Sequence, residues 1–311
     1  MDPHASRPAG LPARTPNSAY AAAIGMTIAF GLSFVATKYA LEGFRPMLIA
    51  VIRFTVAGGL LWSLWRLRPE RERPGRRELL QLAALGFVSL TLYFSLEING
   101  IARTSASAAA ILIATIPIFV GVLAAVFLHE RNGARQWSGV ALSFAGVAGL
   151  VVFGAGADGG TLVGDLLVLA AALSAAAYNL MARNLLATRS ALYVTAYQNL
   201  FGALFMAPLA LGEALLFGVR TPTPSAVAGV VYLTLGCSVS AYLMLNYAFR
   251  FIPSTRVSVF VNLTPVVGVV AAYAVLGERL GAAQLAAAAV VIAGVWLANS
   301  GAAAARSPSA G

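Results

Sequence analysis

Charge is what this sequence most lacks. Of its 311 residues only 10% are Asp, Glu, Lys or Arg, while 59% are apolar. A soluble domain carries about 25% charged residues, so this chain has too little charge to cover a surface facing water. Cysteine is limited to Cys237, which excludes an internal disulfide and any cysteine-rich metal site. The two histidines, His4 and His129, are far apart and suggest no metal cluster. The sequence has no glycine-rich nucleotide loop, so no ATP hydrolysis is implied. Neither histidine falls within an expected helix, which leaves no Ser-His-Asp or Cys-His set at membrane depth. The expectation is a protein that is not an enzyme and uses no metal and no cofactor.

Long apolar runs are what it has instead. Stretches free of charge cover 15–37, 106–128, 137–157, 166–182, 190–212, 221–249, 257–277 and 280–305. A spanning helix needs about 20 predominantly apolar residues, and a soluble α/β chain would interrupt such runs with turns. The sequence therefore reads as an all-α polytopic membrane protein with ten transmembrane helices, at 18–39, 46–66, 78–101, 104–128, 134–153, 161–183, 190–217, 225–249, 253–276 and 281–300. The net charge of +10 does not signal a nucleic-acid partner. The arginines sit at helix ends and in one short loop, as the positive-inside rule dictates. The partners expected are the lipid bilayer and a small-molecule substrate.

Orientation follows from the basic residues. With the N-terminus inside, the inner segments hold fourteen Lys and Arg and the outer segments five, and the loop 66–78 alone holds six. That bias puts both termini in the cytoplasm and the chain in the inner (plasma) membrane. Residues 1–17, rich in Pro, Ala and Arg, read as a disordered tail, and 301–311 as a second short tail. The first apolar stretch exceeds a signal-peptide core and reads as a retained helix.

The chain repeats itself. IPIFVGVLAAVFLHERNGARQWSGVALSFAGV (116–147) aligns without a gap on TPVVGVVAAYAVLGERLGAAQLAAAAVVIAGV (264–295), at an offset of 148. Pro117 falls on Pro265, Glu130 on Glu278, Arg131 on Arg279, Gln136 on Gln284 and Gly146 on Gly294. Earlier the offset is 145, which sets Lys38 on Arg183 and Leu41 on Leu186. The repeats are 18–153 (helices one to five) and 161–300 (helices six to ten), joined by the glycine-rich linker 154–160. Five is odd, so the second repeat enters the membrane upside down. Inverted repeats let two halves exchange shapes and open first one side, then the other.

Several residues carry a chemical reading beside a bland one. Pro117 and Pro265 lack an N–H and clash one turn back, which makes them hinge candidates bordering a solute path, or simple packing kinks. Glu130-Arg131 and Glu278-Arg279 sit just past helix ends, where solvated interface charges are the commoner reading than gates. Gly139, Gly146, Gly149, Gly281 and Gly294 permit close helix contact and read as packing. Polar and aromatic side chains gather on the other helices. The cavity candidates are Ser33, Thr37, Lys38, Arg53, Tyr93, Glu97, Asn99, Tyr178, Asn179, Tyr197, Gln198, Asn199, Tyr242, Asn246 and Asn262. Amides and charges at membrane depth must find partners, so most should point inward, into a cavity or toward a neighbouring helix. Arg53 and Glu97 fall at similar depths, and are expected to make the main buried polar contact of the outer half or, alternatively, to snorkel outward.

The two proline-containing helices, each followed by HERNG or GERLG and then by a small-residue helix ending FAGV or IAGV, resemble the EamA domain of the drug/metabolite transporter superfamily. GLSFVATKYAL (31–41) resembles that family's first helix, with Phe30-Gly31 where Trp-Gly is often found. The resemblance covers about 18–300. The YddG-type exporters of aromatic amino acids and methyl viologen are one subgroup the sequence resembles, no more closely than their neighbours. The resemblance implies a ten-helix fold with a central cavity between repeats, and substrates such as amino acids, other metabolites or cationic drugs. The function expected is secondary export of small organic metabolites, amino acids or related zwitterionic and cationic compounds foremost. The alternative is a membrane-embedded enzyme or lipid-handling protein, which would need convergent titratable groups at one depth.

Overall fold

The computed structural model describes residues 17–67, 74–129, 133–154, 160–252, 257 and 260–305. Residues 1–16 and 306–311 of the expected tails, the loop 68–73, most of the linker and the Glu130-Arg131 pair lie outside these, while 301–305, expected as tail, continue the last helix. The described chain is helical. The helices are α1 (Asn17–Gly43), α2 (Pro46–Arg66), α3 (Arg76–Ile101), α4 (Ala106–Phe127) and α5 (Ala134–Gly154). They continue as α6 (Leu162–Thr188), α7 (Ala191–Phe217), α8 (Pro224–Val231, Tyr232–Ala241 and Tyr242–Phe251), α9 (Thr264–Leu276) and α10 (Ala282–Ala305). Eight of them, α1 to α8, are long and apolar enough to cross a membrane, and the apolar stretches of α9 and α10 are shorter.

Local chemistry sets their ends. Ser105, Thr161, Ser190 and Thr223 each accept the backbone N–H three residues on, capping α4, α6, α7 and α8. Pro46 and Pro224 open α2 and α8, where a missing N–H costs nothing. Gly218 (φ 71) and Gly277 (φ 69) end α7 and α9 in conformations that disfavour a side chain. Large apolar side chains such as Leu215 and Trp296 remain open at the surface, 78% and 67% exposed. An apolar exterior of this kind suits hydrocarbon, where no hydrophobic force drives it inward.

Connections are short, so successive helices run in opposite directions. The segments at 44–45, 102–105, 160–161, 218–223 and 277–281 share one end of the bundle, here the linker end. The opposite end, carrying 67, 74–75, 189–190 and 252, is the tail end.

Two features repeat in both halves. The chain breaks its helix at 114–115 inside α4 and again at 262–263 just before α9, a separation of 148. Each break precedes its proline, so Pro117 and Pro265 stand in the first turn of the helical piece that follows. At the first break Ala114 N–H and Thr115 N–H turn back to the Ile111 and Leu112 carbonyls, and the Thr115 hydroxyl adds a 2.6 Å bond to Leu112 O. The smooth mid-helix kink expected at each proline is instead a short turn between two helical pieces. The second feature was not expected. A π-helical stretch begins at Phe87 in α3 and at Tyr232 in α8, a separation of 145.

Packing partners also exchange between the halves. The helix opening the first repeat, α1, packs on α8 and α9, while α6, opening the second, packs on α3 and α4. α2 packs on α7, α4 on α9, and α5 on α10. The last pair is the tightest. A methyl placed on Gly139 would lie 2.3 Å from the Ala298 nitrogen, and one on Gly294 would lie 2.4 Å from the Ser143 nitrogen. Gly139, Gly146 and Gly294 therefore act as packing residues, as their sequence context implied.

Candidate functional site

The candidate polar residues separate into distinct clusters. The first joins α2, α3 and α8. Arg53 is 7% exposed and Glu97 9%, although both are ionisable and lie within apolar helices. Arg53 Nε donates to Ser238 Oγ at 2.6 Å, and its guanidinium lies 4.6 Å from the Phe94 ring centroid. Tyr93 donates its hydroxyl to Glu97 Oε1 at 2.6 Å, a contact between residues one turn apart on α3. The rings of Tyr93 and Phe94 meet edge to face at 4.7 Å. Arg53 and Glu97 do not form the direct contact expected of them. The described residues hold an ion pair of 2.7 Å between Arg189 and Glu78, but none between Arg53 and Glu97. Ser238 and Tyr93 are the separate partners of the two side chains, and the Phe94 ring lies beside Arg53 and Tyr93.

A second cluster lies toward the tail end, on α7 with α6 and α8. Gln198 and Asn199 are buried, at 4% and 5% exposure. The Tyr178 hydroxyl lies against the Gln198 side chain, and the Thr195 and Tyr242 hydroxyls are hydrogen bonded. Asn199 Nδ2 donates to the Thr195 carbonyl at 2.9 Å. Gln198 Nε2 and Asn199 Oδ1 have no protein partner. Tyr197, one residue earlier, turns away from this group. It enters an aromatic cluster with Trp62, Trp65 and Tyr193, the nearest ring centroid 4.9 Å away.

The linker end is laced by ties between the two halves. Glu278 accepts the backbone N–H groups of Ala106 and Ser107, both at 2.9 Å, and the Ser107 hydroxyl at 2.7 Å. A carboxylate at a helix N-terminus satisfies orphan donors and meets the positive end of the helix dipole. Glu213 does the same for α2, accepting Met47 N–H at 2.9 Å. Thr104 donates to Asp165 at 2.5 Å and Arg45 donates to Gly218 O at 2.7 Å, while within the first half Lys38 donates to the Thr104 carbonyl. Glu278 is thus a specific clamp between the halves, not a loose interface charge.

The other candidates have simpler fates. Ser33 and Thr37 bond carbonyls of their own helix, at 2.6 and 2.8 Å. Asn99 bonds Ser95 O and accepts from Arg103. Asn179 and Asn262 are exposed, and the Asn246 side chain lies outside the described set. Among residues that join the clusters, Ser238, Thr195, Thr104 and Asp165 were not singled out from sequence. Single Ser and Thr residues are common in such helices, and only Asp165, a carboxylate inside an apolar segment, carried a signal.

Residues 17–152 and 162–300 each match the EamA-like transporter family. An Archaeoglobus fulgidus protein named an uncharacterized transporter is 32% identical over 269 residues, covering 85% of this chain and 91% of its own. The Bacillus subtilis transporter YetK is 27% identical, covering 95% of this chain and 91% of its own. A protein of Streptantibioticus cattleyicolor named a probable terminal-alkyne amino-acid exporter is 32% identical, covering 88% of this chain and 90% of its own. A solved crystal structure, 19% identical, superposes with a TM-score of 0.62 over 94% of this chain and 99% of that one, a likeness of fold. Two matched copies, apolar helices throughout and relatives named as transporters agree: the chain is a multi-pass membrane transporter, not an enzyme, and belongs to the EamA-like transporter family.

Proposed function

We propose that the protein exports small organic metabolites, amino acids or related zwitterionic and cationic compounds foremost, by alternating access between two inverted five-helix repeats. The repeats are 18–153 and 161–300, with the linker 154–160 between them. The observation that carries this reading is the exchange of partners, α1 on α8 and α9 against α6 on α3 and α4, with helix breaks at 114–115 and 262–263. Two halves that hold each other in the same way can trade conformations, and such a trade moves a central site from one face to the other. The amino-acid exporter among the relatives supports the substrate class. The basic bias of the sequence supports an inner-membrane location with both termini cytoplasmic.

The test is flux. Purified protein in liposomes should accelerate exchange of phenylalanine or methionine over protein-free vesicles, and should discriminate against a dicarboxylate. Absence of flux across a broad panel of amino acids and organic cations would refute the reading. Nothing among the described residues favours the membrane-enzyme alternative.

A further inference from the structure

We infer that Arg53 and Glu97 form a divided receptor for a zwitterion, Arg53 taking the carboxylate and Glu97 the ammonium of one bound molecule. The inference rests on the transport reading above and names the recognition chemistry of its site.

Three observations carry it. First, each side chain has one hydrogen bond to a neutral protein partner and none to an opposite charge. Arg53 uses Nε on Ser238, and Glu97 uses Oε1 on the Tyr93 hydroxyl. Neither Nη group of Arg53 nor Oε2 of Glu97 has a protein hydrogen bond. Second, these atoms are not sealed in. Among the described residues the fully enclosed polar side-chain atoms without partners are Ser143 Oγ, Gln198 Nε2, Asn199 Oδ1 and Thr264 Oγ1. The unpartnered Arg53 and Glu97 atoms are not among them, so they are not completely enclosed, although both side chains are buried at 7% and 9% exposure. Third, the two side chains adjoin one pair of touching rings, Arg53 lying 4.6 Å from the Phe94 centroid and Glu97 accepting from the Tyr93 hydroxyl, and yet they form no ion pair. Unpaired charges at membrane depth are costly, and two long side chains of opposite charge in one region would ordinarily pair. Ser238 on one side and Tyr93 on the other prevent that, with the Phe94 face under the guanidinium.

An α-amino acid supplies what is missing. Its carboxylate matches the paired N–H groups at the open end of a guanidinium, a fork geometry that lysine does not offer. Its ammonium donates to Glu97 Oε2 and satisfies that carboxylate. Its side chain then lies along Phe30, Leu90 and Phe94, partly buried apolar residues on the neighbouring core. A molecule with one charge answers one half of the receptor and strands the other, which is how a polar site rejects a near-isostere.

The experiment compares three ligands of one shape: phenylalanine, phenethylamine, which lacks the carboxylate, and 3-phenylpropionate, which lacks the ammonium. Binding to detergent-purified protein is measured by calorimetry, and counterflow in liposomes separately. Wild-type protein should bind phenylalanine about tenfold or more tightly than either analogue, the scale of one charged hydrogen-bonded contact. Arg53→Gln should erase the advantage over phenethylamine and keep that over 3-phenylpropionate, and Glu97→Gln should do the reverse. Arg53→Lys should restore part of the loss. Ser238→Ala, which keeps both charges, should weaken phenylalanine and 3-phenylpropionate but not phenethylamine, and serves if the charge variants fail to fold. Equal binding of the three ligands by wild type, or variants that weaken all three alike, would overturn the receptor while leaving transport intact. Binding with this pattern but no flux would overturn the transport reading and keep the site.

Discussion

Replacing Glu278 by Ala should loosen the linker end of the bundle without unfolding the protein. The carboxylate accepts three hydrogen bonds from the start of α4, at 2.9, 2.9 and 2.7 Å, and it belongs to the opposite half of the chain. Each such bond at a partly wet site is worth about 1 kcal/mol net, so the clamp contributes about 3 kcal/mol. If that energy separates a conformation closed at the linker end from one open there, its loss shifts the equilibrium on the order of a hundredfold, since about 1.4 kcal/mol is tenfold. Ser107→Ala removes one bond of the three and should shift it by about fivefold. The assay is labelling by a membrane-impermeant maleimide of a cysteine placed at Ala114, beside the α4 break, with Cys237 changed to Ser. Reagent on the linker side should react faster in Glu278→Ala than in its parent, with Ser107→Ala between them. Unchanged labelling and an unchanged melting temperature in Glu278→Ala would refute the clamp, because three lost bonds across two halves must appear in one or the other.

Gly139→Ala should lower the melting temperature markedly, because a methyl 2.3 Å from the Ala298 nitrogen meets backbone that cannot rotate away; overpacking of this kind costs about 1–3 kcal/mol. Gly59→Ala, where no atom lies within 4 Å, should be neutral or stabilising, and equal losses in both variants would refute the packing argument. Pro117→Ala and Pro265→Ala should slow flux more than they reduce folded protein, since alanine lets the two helical pieces merge across 114–115 or 262–263; unchanged flux in both would reduce the prolines to packing. Glu78→Gln should cost about 1 kcal/mol at low salt and less at 0.5 M salt, because the Arg189 partner is 32% exposed and the pair is screened; a loss independent of salt would point to packing instead.

The sequence made the helices, the duplication and the glycine seam legible because each leaves a linear trace: apolar length, a register of identities, small residues four or seven apart. It did not reveal the π-helical stretches at Phe87 and Tyr232. A π stretch rotates everything after it relative to an ideal helix, so side chains beyond it meet neighbours that a regular wheel does not predict. Ser238 lies inside one such stretch and becomes the partner of Arg53. The depth argument for Arg53 and Glu97 placed both in one region correctly, but depth says nothing of rotation about each helix axis. For the same reason Tyr197 and Gln198, adjacent in sequence, part into an aromatic cluster and a polar one. Asn179 and Asn262 ended up exposed where inward orientation was expected. The rule that amides turn inward fails there because it supposes that a partner exists on the facing helix.

The two halves are alike in backbone and unlike in chemistry, and the difference bears on how they would exchange. Asp165 opens α6 and ties it to Thr104 at 2.5 Å. At the matching place in the first half, 145 residues earlier, the chain has Tyr20, whose ring packs 6.3 Å from Phe260 beside Ala19, Ala23 and Ile252. Glu213, which caps α2, corresponds to Arg68, and Arg45, which ties α2 to Gly218, corresponds to Ser190. Among the described residues, then, the linker end is held by several charged side chains on backbone groups, and the tail end by apolar and aromatic contact at the start of α1 together with the Arg189–Glu78 ion pair. The two closures should respond to ionic strength to different degrees. Ionic strength and acid weaken ties made by carboxylates, whereas apolar contact is insensitive to both and weakens on cooling. A transporter built this way need not be symmetric in rate. Raising salt on the linker side should loosen several carboxylate and arginine ties at once, whereas on the tail side it reaches the Arg189–Glu78 pair, so vesicles with the linker face outward should respond more strongly than those of the opposite orientation. Equal responses from both orientations would mean that the chemical difference between the ends has no part in setting the conformational balance.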